Sequence, residues 1–201
     1  MFPAKKEIAM TYQSSISKES IATLPTVAFD GKIIVVHSVE ELEYAVDFLS
    51  GHTLIGFDTE TKPAFSRGQI HKVALLQLST DEICFLIRLN ELGLPQLLVE
   101  LLNNINIKKI GLSLRDDFKA LRRRALIQSD SFIDLQDVVL DYGIKDQSLQ
   151  KIYAILFGKR ISKSQRLSNW EATELTPAQQ LYAATDAWAC HQIYQKLKQD
   201  V

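Results

Sequence analysis

The spacing of apolar positions changes several times along the chain, and each change marks an element. Lys32-Ile33-Ile34-Val35-Val36 is short and β-branched, which predicts a strand. Ser38 followed by Glu41 has capping-box spacing, and Leu42, Ala45, Val46 and Leu49 then recur at helical intervals up to Gly51. Leu54-Ile55-Gly56-Phe57 is apolar and ends abruptly in Asp58-Thr59-Glu60, the pattern of a buried strand whose C-terminal tip carries acids. Residues 72–78 and 83–89 are two further strand-like runs, and Thr80-Asp81-Glu82 between them predicts an antiparallel hairpin.

Helical spacing dominates the second half. Leu97, Leu98, Leu101 and Leu102 mark an amphipathic helix after Pro95; residues 108–114 read as a short strand and 117–124 as the start of a helix. A short strand at 131–135 passes into a helix at 137–142 that stops at Gly143, and a helix at 149–157 closes at Gly158. Residues 159–169 are polar, basic and aperiodic, hence an exposed loop. Thr176 caps a long final helix with Pro177 in its first position. Residues 1–30 are polar and Ser-rich with one short helix between Ile16 and Leu24, and form an N-terminal extension to a single domain spanning 31–201. Strands come early and helices late, with alternation between them. The expected fold class is α/β, a mixed β-sheet flanked by α-helices on both faces.

Composition narrows the function classes. A 201-residue chain that is 46% hydrophobic has material for one proper core. No apolar stretch approaches the ~20 residues of a membrane span, and the N-terminus lacks a signal-peptide pattern, so a soluble, cytoplasmic protein is expected. Cys84 and Cys190 are too few for a disulfide framework and read as small buried residues. Four scattered histidines without an H-E-x-x-H pairing argue against a zinc hydrolase. A net charge of −1 offers no bulk attraction to polyanions, so any such contact must come from local clusters.

The acids at the tip of the 54–60 strand carry the chemistry. Residues two apart on a strand share a face, so Asp58 and Glu60 point together while Thr59 points away. Keeping both ionised calls for a cation, and an all-oxygen site suits Mg²⁺ or Mn²⁺. Asp117 follows the apolar run Ile110-Gly111-Leu112-Ser113-Leu114 and is placed near a helix N-terminus, where the helix dipole accommodates a carboxylate. Tyr182 and Asp186 are four apart in the last helix and share a face, among alanines that permit close approach to a sheet.

These four acids and the tyrosine resemble the DEDD superfamily of 3′–5′ exonucleases, a branch of the ribonuclease-H-like fold. Asp58-Thr59-Glu60 matches the first motif, and Gly111 to Asp117 the second, with Asp117 rather than Asp116 at the required spacing. Tyr182-Ala183-Ala184-Thr185-Asp186 matches the third in its tyrosine form; the histidine of the sister subgroup falls at Leu181, so the chain sits on the DEDDy side. The phrases Lys72-Val73-Ala74-Leu75-Leu76-Gln77-Leu78 and Leu167-Ser168-Asn169-Trp170 are similar to the Werner-syndrome-type exonuclease domain and, more loosely, to ribonuclease D.

The resemblance implies two-metal hydrolysis of phosphodiesters from a free 3′ end, with two divalent ions (Mg²⁺ or Mn²⁺) held by Asp58, Glu60, Asp117 and Asp186. Tyr182 would orient the attacking water, since a phenol of pKa ~10 is a poor base at pH 7. Lys159, Arg160, Lys163 and Arg166, in the loop before the third motif, are candidates for strand phosphates, and Thr59, between the first two acids, for a strand contact. Arg122, Arg123 and Arg124 read as a solvated helix end, and Trp170 as a packing residue. DNA is the favoured strand over RNA, with RNA 3′-end trimming and a non-catalytic nucleic-acid-binding module as alternatives. The oligomeric state is left open, a monomer being sufficient.

Overall fold

Six short segments rich in branched and aromatic residues hydrogen-bond into one sheet, and helices with one apolar stripe each cover it from both sides. The computed structural model describes residues 12–66 and 68–200. The strands are β1 (Lys32–Val36), β2 (Leu54–Thr61), β3 (Val73–Ser79), β4 (Ile83–Arg88), β5 (Lys108–Gly111) and β6 (Phe132–Asp134), in spatial order β1-β4-β3-β2-β5-β6. β3 pairs antiparallel with both β2 and β4, while β1–β4, β2–β5 and β5–β6 are parallel. The sheet is therefore mixed, and the expected 80–82 hairpin is present.

The helices are α1 (Lys18–Ala22), α2 (Val39–Ser50), α3 (Leu89–Leu92), α4 (Gln96–Asn103), α5 (Leu114–Leu121), α6 (Leu135–Asp141), α7 (Leu149–Phe157) and α8 (Pro177–Gln199). Both expected N-terminal caps form as reciprocal capping boxes, Ser38 with Glu41 and Thr176 with Gln179. On one face of the sheet Phe57, Leu76, Leu78, Phe85 and Ile87 pack with α2, α4 and α5; on the other, α6, α7 and α8 cover Ile110, Leu75 and Leu86. Cys84 and Cys190 are free and buried. Among the described residues no helix is long and apolar enough to cross a membrane.

Three expectations require correction. The 108–114 strand stops at Gly111, because Ser113 adopts a left-handed conformation (φ 61°) and the Asp134 carboxylate accepts hydrogen bonds from the amides of Ser113 and Leu114. The helix expected to begin at Asp117 accordingly begins at Leu114, which places Asp117 fourth in α5. Likewise, the helix expected at 137–142 starts at Leu135, where the Asp134 side chain caps it.

Residues 12–30 lie on the domain. Ile16 and Ile21 are buried with Ala154, Phe29 packs with Trp170 and Tyr182, and the backbone at Val27 and Arg160 is joined by hydrogen bonds. The first eleven residues of the expected extension lie outside the described residues.

Candidate active site

The site begins with β2, the longest strand, which runs between β3 and β5. Alternation puts Ile55, Phe57 and Thr59 on the α5 side and Gly56, Asp58 and Glu60 on the α8 side. Gly56 lets α8 lie directly on the strand: a Cβ there would stand 1.9 Å from the Ala187 carbonyl oxygen and 2.8 Å from its carbon. This approach brings Asp186 to the strand tip. Asp58, Glu60 and Asp186 each offer a carboxylate oxygen, and these oxygens lie within 4.8 Å of one another. Tyr182, one turn earlier on α8, lies against the Asp186 carboxylate, and its ring packs on buried Trp170 with centroids 6.0 Å apart. Trp170 thus packs under the loop, as expected.

Asp117 arrives from the other face. The pairing of β5 with β2 ends at Gly56, so the tip of β2 beyond it has a sheet neighbour only in β3. α5 turns back at this open edge, where the Thr59 hydroxyl donates to Asp117. Thr59, expected to contact the strand, is thus engaged with the fourth acid, and Asp117 stands beside the three-carboxylate cluster without joining it.

Burial and mutual repulsion govern the charge state. Burial raises Asp58 well above the usual carboxylate range, with Asp186, Glu60 and Asp117 adding to it. Glu60 rises to about 9 through burial and the charges of Asp186 and Asp117. Asp186 rises to about 7 through burial, opposed by its contact with Tyr182 and by the Lys163 ammonium. Asp117 rises to about 6 through burial, against the hydrogen bond from Thr59. The Tyr182 phenol is pushed upward by burial and then by Asp186 and Glu60. Carboxylates that resist ionisation in the protein alone gain most from a neighbouring cation, which relieves both their burial and their repulsion.

The basic residues of the 159–169 loop separate in the structure. Lys163 and Arg166 are exposed, and Lys163 lies close enough to Asp186 to lower its pKa. Lys159 is exposed at the loop entrance. Arg160 turns the other way: its Nε donates to the Leu24 carbonyl and its backbone amide to Pro25, so it fastens residues 24–27 to the domain. The arginine cluster also differs from a solvated helix end, since Arg124 donates to the carbonyls of Val73 and Leu89 at 3.0 and 2.8 Å. Lys62, His71 and Glu171, which no motif singles out, form a chain just past Glu60: Glu171 meets His71 Nδ1 at 2.9 Å and Lys62 Nζ at 3.4 Å. Their only signal along the chain is the charge of Glu171 beside Trp170, which says nothing of a partner 100 residues away.

A mixed sheet with helices on both faces, three acids gathered at the tip of β2 and a fourth beside them gives the chain a ribonuclease-H-like fold. Comparison with known proteins makes this specific. Residues 33–201 match the model of a 3′-5′ exonuclease family. The chain is 35% identical over 184 residues to the mouse bifunctional 3′-5′ exonuclease/ATP-dependent helicase WRN, covering 87% of this chain and 13% of that protein. It is 29% identical over 161 residues to DNA polymerase I of Aquifex aeolicus, covering 79% of this chain and 26% of that one. Among solved structures, Escherichia coli RNase D superposes with a TM-score of 0.74 at 22% identity, covering 84% of this chain and 45% of that one. The chain belongs to the 3′-5′ exonuclease family. It spans a minor part of the length of both curated relatives.

Proposed function

We propose that this chain is a divalent-metal-dependent 3′–5′ exonuclease that hydrolyses the terminal phosphodiester of a nucleic-acid strand and releases a nucleoside monophosphate, with DNA as the favoured strand. The observation that carries this reading is the convergence of Asp58, Glu60 and Asp186 to within 4.8 Å, with Tyr182 alongside. The donor set is all oxygen, and burial holds its acids above their ordinary range, so it fits a hard divalent ion such as Mg²⁺ or Mn²⁺. Asp58, Glu60 and Asp186, with Asp117 beside them, would hold the divalent ions. When bound, the ions supply the positive charge that stabilises the entering and leaving oxygens.

The chain's own residues do the positioning. Water oxygen attacks phosphorus and gives up a proton to solvent, the bond to the 3′ oxygen of the penultimate nucleotide breaks, and that oxygen takes a proton from solvent to leave as the new 3′ hydroxyl. Tyr182 keeps its proton at working pH because burial and the neighbouring acids disfavour the phenolate. It therefore orients the attacking water by hydrogen bonding and does not act as a base. Lys163, whose ammonium lowers the Asp186 pKa, would meet the phosphate of the terminal nucleotide.

Sequence similarity to a DNA polymerase I supports DNA. RNA trimming is the second reading, favoured by the likeness of fold to RNase D. The test uses 5′-labelled single-stranded DNA and matched RNA with Mg²⁺, Mn²⁺ or chelator, for wild type and Asp58→Ala. A metal-dependent ladder shortening from the 3′ end, faster on DNA and absent in the variant, is expected. Binding without shortening in either metal would sink the catalytic reading; faster shortening of RNA would reverse the choice of strand.

A further inference from the structure

Beside the acidic tip, at the start of β3, lie two adjoining cavities of about 410 and 470 Å³, the second of which reaches α5 at Ala120. They share Ile70, His71, Lys72 and Arg124; Arg123 joins one of them and Glu171 the other. Their place follows from the register. Val73, which lines the first, pairs with Thr61, the residue after Glu60.

The lining is unbalanced in charge. Lys72, Arg123 and Arg124 bring three cations, and among the described residues none of them has a carboxylate within ion-pair distance. The single lining carboxylate, Glu171, is already shared between His71 and Lys62. Arg124 directs its hydrogen bonds to the carbonyls of Val73 and Leu89, which fix its guanidinium and leave its charge unneutralised. His71 adds an unsatisfied polar atom: its Nδ1 is engaged by Glu171, while its Nε2 is buried with no hydrogen-bond partner. Buried polar atoms are ordinarily satisfied, so the unpaired Nε2 is open to a hydrogen-bonding partner, and the cations of the cavity favour an anionic ligand. The β2–β3 connection that carries His71 and Lys72 also presents Phe65 and Ile70 at 80% and 75% exposure. Cations that track a backbone beside an exposed aromatic face are the combination that holds single strands independently of sequence.

We propose that this groove is a second, metal-independent subsite that binds a backbone phosphate of the substrate strand on the 5′ side of the bond being cut, with Phe65 as a platform for a base. The inference rests on the exonuclease reading above. Its ligand is a phosphodiester in a single strand. His71 with Glu171 and Lys62 forms the physical link between the two, since this chain of contacts starts next to Glu60 and ends in the cavity.

The experiment compares wild type, Lys72→Gln/Arg123→Gln and Phe65→Ala. Arg124 is left intact because it ties down two backbone carbonyls. Hydrolysis of a 12-nucleotide strand is measured beside hydrolysis of p-nitrophenyl thymidine 5′-phosphate, which reaches only the acidic tip. Binding of the 12-mer is followed by fluorescence anisotropy in chelator over a salt series. The double variant is expected to raise KM for the 12-mer about tenfold with kcat retained, and to flatten the salt dependence of log K by about 0.7 for each phosphate no longer neutralised. Its rate on the nitrophenyl ester stays at the wild-type value. Phe65→Ala raises KM without altering the salt slope. Unchanged KM and salt slope in the double variant, or an equal loss on both substrates, would overturn the subsite. If wild type cleaves neither substrate, the exonuclease reading falls, and the anisotropy series still decides whether the groove holds a strand.

Discussion

Gly56→Ala is the sharpest test of how the site is assembled. The added methyl would stand 1.9 Å from the Ala187 carbonyl oxygen, whereas ordinary contact begins at 3.4 Å, so α8 must withdraw from β2 by about 1.5 Å. The clashing atom is helix backbone and has no rotamer to escape into; His191 Cβ at 3.2 Å closes the remaining side. Overpacking costs about 1–3 kcal/mol, and a fixed backbone partner argues for the upper end. For a domain of this size that is a fall in melting temperature of about 6–12 °C. The functional loss should be larger. Asp186 immediately precedes Ala187, and a displacement of about 1 Å in a reacting group costs about 100-fold in rate. Circular dichroism melts and turnover on a 5′-labelled oligonucleotide, both against Gly51→Ala, check the two numbers. Gly51 has an ordinary helical φ of −76° and its nearest atom is the Phe48 oxygen at 3.4 Å, so its alanine variant should be neutral within about 0.5 kcal/mol. A Gly56→Ala protein with wild-type melting temperature and turnover would refute the reasoning.

The remaining expectations concern charge and anchoring. Asp58, Glu60 and Asp186 have raised pKa values in the fold, so the folded protein holds protons that the unfolded chain releases near pH 4. Their contribution to metal-free stability is complete below about pH 4 and disappears as pH rises through about 7 and about 9. Thermal melts in chelator should therefore fall over that window, the rise produced by added Mn²⁺ should grow with pH, and Asp58→Asn should melt a few degrees higher than wild type at pH 8 without metal while losing activity. Tyr182→Phe should lower kcat by about 10- to 100-fold and leave the Mn²⁺-induced thermal shift intact; full turnover would remove its positioning role. Arg160→Ala should cost about 1–2 kcal/mol in urea denaturation with an unchanged salt slope for strand binding, whereas Lys163→Ala should flatten that slope and keep the stability.

Local signals in the sequence located most of the fold. Period-two alternation placed Asp58 and Glu60 on one face, and the Ser38 capping box and the Thr176 N-cap before Pro177 fixed helix starts because both side chains act on backbone within three residues. What escaped depends on distant partners. The early end of β5 and the start of α5 at Leu114 rest on the Asp134 carboxylate, 20 residues further on. Nothing local marks Lys109 as buried, and it is fully so, with Nζ on the Asn104 carbonyl at 2.7 Å and over the Phe132 ring. The route of Asp117 to the site through Thr59 follows from where a neighbouring strand stops, which is a property of the sheet. The convergence of Asp58, Glu60 and Asp186 was legible through the resemblance to three family motifs in order, since each acid alone also has an ordinary local explanation, as a turn or a solvated helix face.

The 23-residue helix α8 has a consequence beyond the site it furnishes. Its buried face runs from Gln179 to Leu197 and enters two of the apolar clusters, so its amides can exchange with deuterium only when much of the interior opens. The carboxylate and phenol that it carries are thus mounted on the most cooperative part of the molecule, and the loops around the tip can breathe without moving them. Inactivation by heat should then coincide with global unfolding, with no preceding phase in which a folded protein has lost its chemistry.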